Sequence, residues 1–198
     1  SGLANEAITL DDTELAVATL NTLDGNTSGA VNAATVTILT GGAVAMNTAY
    51  ASGGITGLAN EAITLDDTTL AATVLNTLDG NTSGAVNAAT VTTLTGAAGA
   101  VITTYDSGGI TNLGNEKLTL SGNTSVANAN TLAADTSGVI TATITEGTAA
   151  ALKTLNETTN KYTITITDTT VAVADLNTID GATIVAVNAN AITVLTGA

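Results

Sequence analysis

Two copies of one hexapeptide place oxygen-bearing side chains at alternate positions, which is the spacing of a calcium loop. The sequence Asp-Gly-Asn-Thr-Ser-Gly occupies positions 24–29 and again positions 79–84. Ca²⁺ is bound by such oxygens, and the first half of an EF-hand-like loop has this order of residue types. The pattern predicts two calcium sites, whose ligands would be Asp24, Asn26, Ser28, Asp79, Asn81 and Ser83.

A second interpretation of the hexapeptide stays open. The twelfth loop position, where a bidentate Glu is expected, holds Thr35 in the first copy and Thr90 in the second. Each loop therefore has a single carboxylate, and a third copy that begins at Asp180 lacks the Asn. Asp-Gly is also a common turn after a helix, so the same residues are typical of a purely structural turn.

The chain lacks the side chains on which most enzymes depend. It contains no His, Cys or Arg and only three Lys residues, so a catalytic triad or an imidazole acid–base pair is impossible. The pairs Asp11-Asp12 and Asp66-Asp67 could in principle hydrolyse glycosides. Adjacent acidic residues before a helix are, however, typical of helix caps. We predict that the protein is not an enzyme and binds no cofactor other than the calcium considered above.

Composition restricts the partners and the location. Seventeen Asp and Glu residues against three Lys give a formal net charge of −14. Nucleic-acid binding needs clustered Lys or Arg, so we predict no nucleic-acid partner. No apolar run is long enough to cross a membrane, which predicts no membrane insertion. The acidity favours divalent cations as partners, and a Cys-free chain rich in Thr and Asn predicts an extracellular or cell-surface location.

One long block of sequence is repeated in tandem. Block 1, residues 2–56, aligns with block 2, residues 57–111, without a gap, and Gly2–Thr13 is identical to Gly57–Thr68. The remainder, residues 112–198, is more divergent, and we predict shorter rungs there. Within it, Ile164–Gly197 echoes Ile8–Gly41. Such repetition is typical of a chain that buries its core by stacking similar units, so we predict one continuous array over residues 1–198.

Within each block, a strand-like run of Thr, Val and Ile precedes a short helical pattern. Leu70, Val74 and Leu78 lie on one face of a helix, and Asp67 or Thr68 fits its N-cap. Helix starts are predicted near Thr13, Gly41, Thr68, Gly96, Thr124, Thr148 and Thr169. This spacing predicts an α/β solenoid with right-handed, stacked rungs of parallel strands and one short helix per rung. Tandem β-sandwich domains are the alternative.

The predicted core is aliphatic, because the chain has no Phe or Trp. Its inward-facing leucines should occur as equivalent pairs in the two blocks and stack from rung to rung. The predicted core residues are Leu15, Leu20, Leu23, Leu70, Leu75 and Leu78, together with Val36, Val91 and Ile164.

Several phrases of the repeat are similar to those of known surface proteins. The phrases are Leu20–Asp24, Asp175–Asp180, Val36–Gly41 and Ile55–Leu58. They resemble repeats in giant secreted or cell-surface proteins of bacteria, of the marine cyanobacterial type. The resemblance covers nearly the whole chain and implies an extracellular structural or adhesive role. It transfers no site residue.

These observations predict a non-enzymatic, extracellular structural repeat protein that forms or extends a surface fibre, a sheath or a giant adhesin. Neither end of the sequence resembles the polar cap that keeps a solenoid soluble. We therefore expect self-association head to tail, through open rungs at the two ends. The alternative function is a calcium-dependent adhesive or ligand-binding module.

Overall fold

Short strands and helices alternate along the chain in a computed structural model, which describes residues 3–197. The strands of the described part are β1 (Ile8–Thr9), β2 (Glu14–Ala16), β3 (Val31–Asn32), β4 (Ile38–Gly41), β5 (Ile55–Thr56), β6 (Ala62–Leu65), β7 (Thr69–Ala71), β8 (Val86–Asn87), β9 (Thr93–Gly96), β10 (Ile110–Thr111), β11 (Lys117–Thr124), β12 (Ile140–Ile144), β13 (Lys161–Thr163), β14 (Thr170–Ala172) and β15 (Val194–Thr196). The helices are α1 (Val17–Asn26), α2 (Ala43–Ala51), α3 (Ala72–Asn81), α4 (Ala98–Asp106), α5 (Val126–Asp135), α6 (Ala149–Leu152) and α7 (Val173–Gly181).

All strand pairing within residues 3–197 is parallel. Parallel neighbours need a crossover connection, and the helices lie in those connections. The predicted α/β class with parallel strands is therefore confirmed, whereas the alternative of antiparallel β-sandwich domains is wrong.

The chain divides into two compact units. The first contains the residues up to Thr92 together with Thr104–Leu113. Its strands form one sheet in the order β1-β3-β5 and a second in the order β2-β4-β6-β8-β10. In this unit α1 packs on α2, and α2 packs on α3.

The second unit contains Thr93–Thr103 and the residues from Gly114 onward. Here β9, β11, β12 and β13 are neighbours in one sheet, while β14 and β15 form a separate pair. The helix α6 packs on α7. Gly122, at positive φ, lies where the register between β11 and β12 shifts, a backbone conformation that glycine adopts without strain.

Strand pairs follow a shorter period than the predicted helix starts do. Along the second sheet of the first unit, Glu14 pairs with Ile38, and Ile38 pairs with Ala62 in turn. In the second unit the step is shorter still, since Leu118 pairs with Ile140 and Thr141 pairs with Lys161. The predicted rung length, which was taken from the helix starts, was therefore too long for the strand pairs of the first half.

Identical segments of the two blocks differ in the strands beside them. β6 follows β5 closely in the sequence and pairs with β4, not with β5. β1, its counterpart in block 1, is an edge strand that pairs with β3. The predicted stacking of equivalent residues is wrong for two of the leucines: Leu15 and Leu23 are half-buried, whereas Leu70 and Leu78 are buried.

Helices begin later than predicted where a short strand precedes them. α1 begins at Val17 rather than near Thr13, because Glu14–Ala16 pairs with β4 in a parallel ladder. β7 and β14 likewise precede α3 and α7. The backbone pairing overrides the helical pattern of side chains in these segments. Ala71, not Asp67 or Thr68, is the N-cap residue of α3.

The core is built from aliphatic side chains that alternate along the strands. Leu20, Leu75, Val36, Val91 and Ile164 are buried as predicted. The helices are short, and in the described part of the chain none is long and apolar enough to cross a membrane.

Candidate functional site

The two loops predicted to bind calcium lie where α1 and α3 end. Both helices continue through the Asn of the hexapeptide, so Asp24 and Asn26, like Asp79 and Asn81, lie in a last helical turn. Residues two apart on a helix point to different sides of it. The helical conformation therefore separates the first two predicted ligands of each loop.

The aspartates of these loops bind a Ser-Gly-Gly turn further along the chain. Ser52 Oγ donates a hydrogen bond of 2.7 Å to Asp24 Oδ2, and Ser107 Oγ donates one of 2.6 Å to Asp79 Oδ2. A Cβ atom on Gly54 or Gly109 would collide with the Oδ1 atom of the same aspartate. The second glycine of each turn thus leaves room for the carboxylate.

The remaining predicted ligands bind elsewhere. Ser28 and Ser83 donate side-chain hydrogen bonds to the carbonyl oxygens of Ala4 and Ala59, at 3.0 and 3.4 Å. Asn81 Nδ2 donates to Asn47 Oδ1 at 3.0 Å. Asn26 is exposed at the end of α1. The aspartate and the serine of each loop therefore contact different segments of the chain.

A threonine in the same loop, which the calcium pattern does not include, forms the most regular contact. Thr27 Oγ1 donates to the carbonyl of Glu6 at 2.6 Å and accepts the N–H of Gly29 at 2.9 Å. Thr82 bonds in the same way to Glu61 and Gly84, at 2.8 and 3.0 Å. In the second unit Thr136 repeats both bonds with Glu116 and Gly138, at 2.8 and 3.0 Å.

We call this arrangement the threonine clasp; it comprises Thr27, Ser28 and Gly29, and its copies are Thr82–Gly84 and Thr136–Gly138. A Cβ atom on the glycine would overlap the carbonyl group of the clasped glutamate, which requires glycine there. The signal in the sequence is the nearly constant separation of Glu and Thr, which is 21 residues in both blocks and 20 in the divergent part. The clasp ties each helix end to the segment one step earlier.

Carboxylates also cap helices of the preceding step. Asp67 Oδ2 accepts the backbone N–H of Ala43, the first residue of α2, at 2.7 Å. Glu146 Oε2 accepts the N–H of Val126 at 2.9 Å, and Asp168 Oδ2 accepts that of Ala149 at 2.7 Å. A negative charge at the N-terminus of a helix interacts favourably with the positive end of the helix dipole. Asp67 was predicted to cap the helix that follows it, whereas it and the two other acids cap helices that precede them in the sequence.

Glu61 is fully buried, and its surroundings provide hydrogen-bond donors. Tyr50 Oη donates to Glu61 Oε2 at 2.7 Å, and the N–H of Ala59 lies 3.1 Å from both carboxylate oxygens. Burial, and then the hydrogen bond to Glu61, raise the pKa of the Tyr50 hydroxyl well above its usual value. Glu6, the counterpart in block 1, is exposed.

Tyr162 is the largest fully buried side chain of the second unit. Its Oη accepts a hydrogen bond of 2.9 Å from Asn160 Nδ2, while Asn160 Oδ1 accepts the N–H of Ile140 at 2.7 Å. Burial raises the pKa of Tyr162 to about 12, although the Asn160 bond acts in the opposite direction. The polar groups of Tyr162 and Asn160 therefore find their hydrogen-bond partners within the core.

The second unit also contains an open cavity of about 490 Å³. Its polar lining includes Asp135, Ser137, Glu157, Thr159 and Asn160. Two carboxylates beside hydroxyl and amide oxygens form an acidic surface with the chemistry to attract a cation. Over residues 3–197, however, no three His, Cys, Asp or Glu side chains cluster as a metal site would require.

Comparison with known proteins supplies no relative for this chain. No protein-family model matches it, and no curated protein and no solved structure is significantly similar to it.

Proposed function

We propose that this chain is a non-enzymatic structural repeat segment, a right-handed solenoid that forms or extends an extracellular fibre, sheath or giant adhesin. The observation that supports this most strongly is the parallel pairing at a nearly constant step, such as Glu14 with Ile38 and Ile38 with Ala62. In such a solenoid, each step is one rung that contacts only its neighbours. Parallel strands joined through helices favour the right-handed crossover.

The use of the polar side chains supports a structural role. The carboxylates of Asp24, Asp67 and Asp79 accept hydrogen bonds from neighbouring segments. The threonine clasps, which lie at helix ends, donate to backbone carbonyl groups of the segment one step earlier. A carboxylate cap such as Asp67 satisfies a backbone N–H that a helix end leaves without a partner, and a clasp joins two neighbouring steps.

An extracellular location fits the composition. The net charge of −14 favours solubility and opposes lateral packing of like-charged chains. The same charge disfavours nucleic acid as a partner and favours screening by divalent cations. We therefore propose self-association head to tail, with copies arranged along one axis, as the way in which the chain extends a fibre.

The calcium-dependent adhesive module is the less supported function. Asp24 and Asp79 each accept a short hydrogen bond from a serine, and a cation would have to compete with that bond. Neither loop has a second carboxylate among its predicted ligands.

Light scattering over a range of protein concentrations, combined with negative-stain imaging, tests the proposed function. We expect the scattered mass to increase with concentration and the images to show unbranched threads. Added salt should lengthen or bundle the threads by screening the negative charge. A monodisperse monomer at high concentration and physiological salt would contradict self-association, and the fibre role would then have to come from other parts of a longer polypeptide.

A further inference from the structure

We propose that copies join through β15 of one chain and β1 of the next, in the register that β4 and β6 use within the first unit. The proposal rests on the head-to-tail association put forward above and names its contact surface. β15 is equivalent in sequence to β4, and β1 is equivalent to β6, but the two members of each pair have different neighbours.

Each proposed partner has an equivalent that is already paired. Val194-Leu195-Thr196-Gly197 corresponds to Ile38-Leu39-Thr40-Gly41, the sequence of β4. Glu6–Leu10, which contains β1, is identical to Glu61–Leu65, which contains β6. Within the chain, Leu39 pairs with Ile63 and Thr40 pairs with Thr64. The equivalent pairs between two copies are Leu195 with Ile8 and Thr196 with Thr9.

Both strands have an open edge in the described part of the chain. β15 pairs with β14, and β1 pairs with β3, so each ends its sheet. Their equivalents are both covered: β4 lies between β2 and β6, and β6 lies between β4 and β8. An open edge is a row of backbone donors and acceptors that another strand can satisfy.

The backbone of β1 presents the correct groups to its open edge. Alternate residues of a parallel strand direct their N–H and C=O groups to opposite sides. Ile8 N–H bonds to β3, at Ala30, just as Ile63 N–H bonds to Ala85 next to β8. In β6 the residue before Ile63, Ala62, donates its N–H on the opposite side of the strand, to the carbonyl of Thr37 at 2.9 Å.

Transferred to two copies, that bond joins the N–H of Ala7 to the carbonyl of Thr193. The bond from Asp66 N–H to the carbonyl of Gly41, at 3.4 Å, becomes one from Asp11 to Gly197. The joint thus reproduces a ladder that this sequence already forms.

The apolar side chains would gain burial in the same register. Leu39 is fully buried in the chain, whereas Leu195 is 55 % exposed. Ile63 is 1 % exposed, whereas Ile8 is half-buried. Burying Leu195 against Ile8 removes apolar surface from water, which stabilises the joint.

The distribution of charge favours a joint between β1 and β15 over a symmetric joint between two β1 strands. The segment around β1 contains Glu6, Asp11, Asp12 and Glu14, whereas residues 181–198 contain no charged side chain. Pairing β1 with β1 would bring acidic residues together, and like charges near one another destabilise a strand pair. A joint between β1 and β15 places the acidic segment against a neutral one.

The joint lacks two elements that accompany the internal pair. Between β4 and β6 the chain passes through α2 and β5. Two copies joined at β15 and β1 have no counterpart of that helix among residues 3–197. The row of helices is therefore interrupted at each joint, and the strands supply the contact. Asp12, whose counterpart Asp67 caps α2, keeps its exposure there.

Disulfide capture tests the register, because the natural chain contains no Cys. A Thr9→Cys chain is mixed with a Thr196→Cys chain under mild oxidation, and the products are separated without reductant. Neighbouring parallel strands lie about 4.8 Å apart, within the reach of a disulfide. We expect a covalent dimer in the mixture and little in either variant alone. The control mixes Thr9→Cys with Thr193→Cys, which is out of register and points to the other face.

A second pair of variants tests the apolar contact. Leu195→Lys places a charge in the joint. In the single chain Leu195 is exposed, so the substitution should change the thermal unfolding midpoint of the monomer little. Association should weaken by at least about a hundredfold, because an unpaired Lys would be buried. Val44→Lys, at a residue of α2 that is 63 % exposed, is the matched control and should leave association unchanged.

The outcomes distinguish the proposed joint between β15 and β1 from the proposed fibre role. Threads that form while the Thr9 and Thr196 cysteines fail to cross-link, or cross-link no better than the control pair, would overturn the register and leave the fibre role standing. Self-cross-linking of one variant would show symmetric pairing and overturn the proposal. A chain that stays monomeric in every mixture would contradict both.

Discussion

Asp67 Oδ2 lies 2.7 Å from the backbone nitrogen of Ala43, so the carboxylate caps a helix that begins 24 residues earlier in the sequence. The helix gains a hydrogen bond and a favourable charge at its N-terminus. The sequence repeats the same Leu-Asp-Asp-Thr segment at Leu10–Thr13, where Asp12 is exposed. Two identical segments therefore differ in their contacts, which makes them a matched pair for mutation.

We expect Asp67→Ala to lower the free energy of unfolding by about 1–2 kcal/mol, which is the usual effect of losing a cap. Asp12→Ala should change it by less than about 0.5 kcal/mol, as for an exposed surface substitution. Urea unfolding followed by circular dichroism at low protein concentration measures both values. Equal losses in the two variants would show that Asp67 does not act through α2.

Burial of equivalent leucines provides a second matched pair. Leu78 is fully buried in α3, whereas Leu23 is half-buried in α1. We expect Leu78→Ala to cost about 2–5 kcal/mol, because it leaves a cavity in a packed core. Leu23→Ala should cost clearly less, since the surroundings of a half-buried side chain can relax or admit water. A larger loss for Leu23→Ala would contradict the different placement of the two blocks.

The buried carboxylate of Glu61 should contribute through the donors that it satisfies. Glu61→Ala leaves the Tyr50 hydroxyl and the Ala59 N–H without this acceptor, and we expect a loss of about 2–3 kcal/mol. Glu6→Ala, at the exposed counterpart, should be nearly neutral. Chemical unfolding of both variants distinguishes the two positions. A neutral Glu61→Ala would indicate that water replaces the carboxylate.

Alkaline pH should destabilise the fold through its buried tyrosines. The folded-state pKa of Tyr162, about 12, lies above its ordinary value of 10.0. Its contribution is therefore complete below pH 10.0 and is lost as the pH rises toward 12, because the unfolded chain releases its proton first. Tyr50 acts in the same direction. Unfolding midpoints measured across this range should fall, and Tyr162→Phe should reduce that fall.

Calcium should have little effect on stability if the loops are structural. Since Asp24 and Asp79 accept hydrogen bonds from Ser52 and Ser107, we expect the thermal midpoint to be the same in EDTA and in excess Ca²⁺. A ligand that binds only the folded state stabilises it by mass action. A rise of many degrees with Ca²⁺, abolished by Asp79→Asn, would instead support the calcium-dependent module.

The side-chain pattern was sufficient to predict the α/β class and most of the aliphatic core. Leu20, Leu75 and Val91 were recognisable because apolar residues recur with the periods of helix and strand, and burial follows from those periods. The sequence also predicted that Asp67 caps a helix, but the helix that it caps is α2 and not the helix that follows it.

The tertiary structure decided which copy of each residue is buried and what it contacts. β1 and β6 have the same sequence and pair with equivalent strands, β3 and β8, but β6 also pairs with β4 on its other edge. The preceding step also supplies Tyr50, which donates a hydrogen bond to Glu61, and Glu61 is buried whereas Glu6 is exposed. Periodicity within one segment cannot reveal this difference in burial, because it arises from contacts between segments that are distant in the sequence.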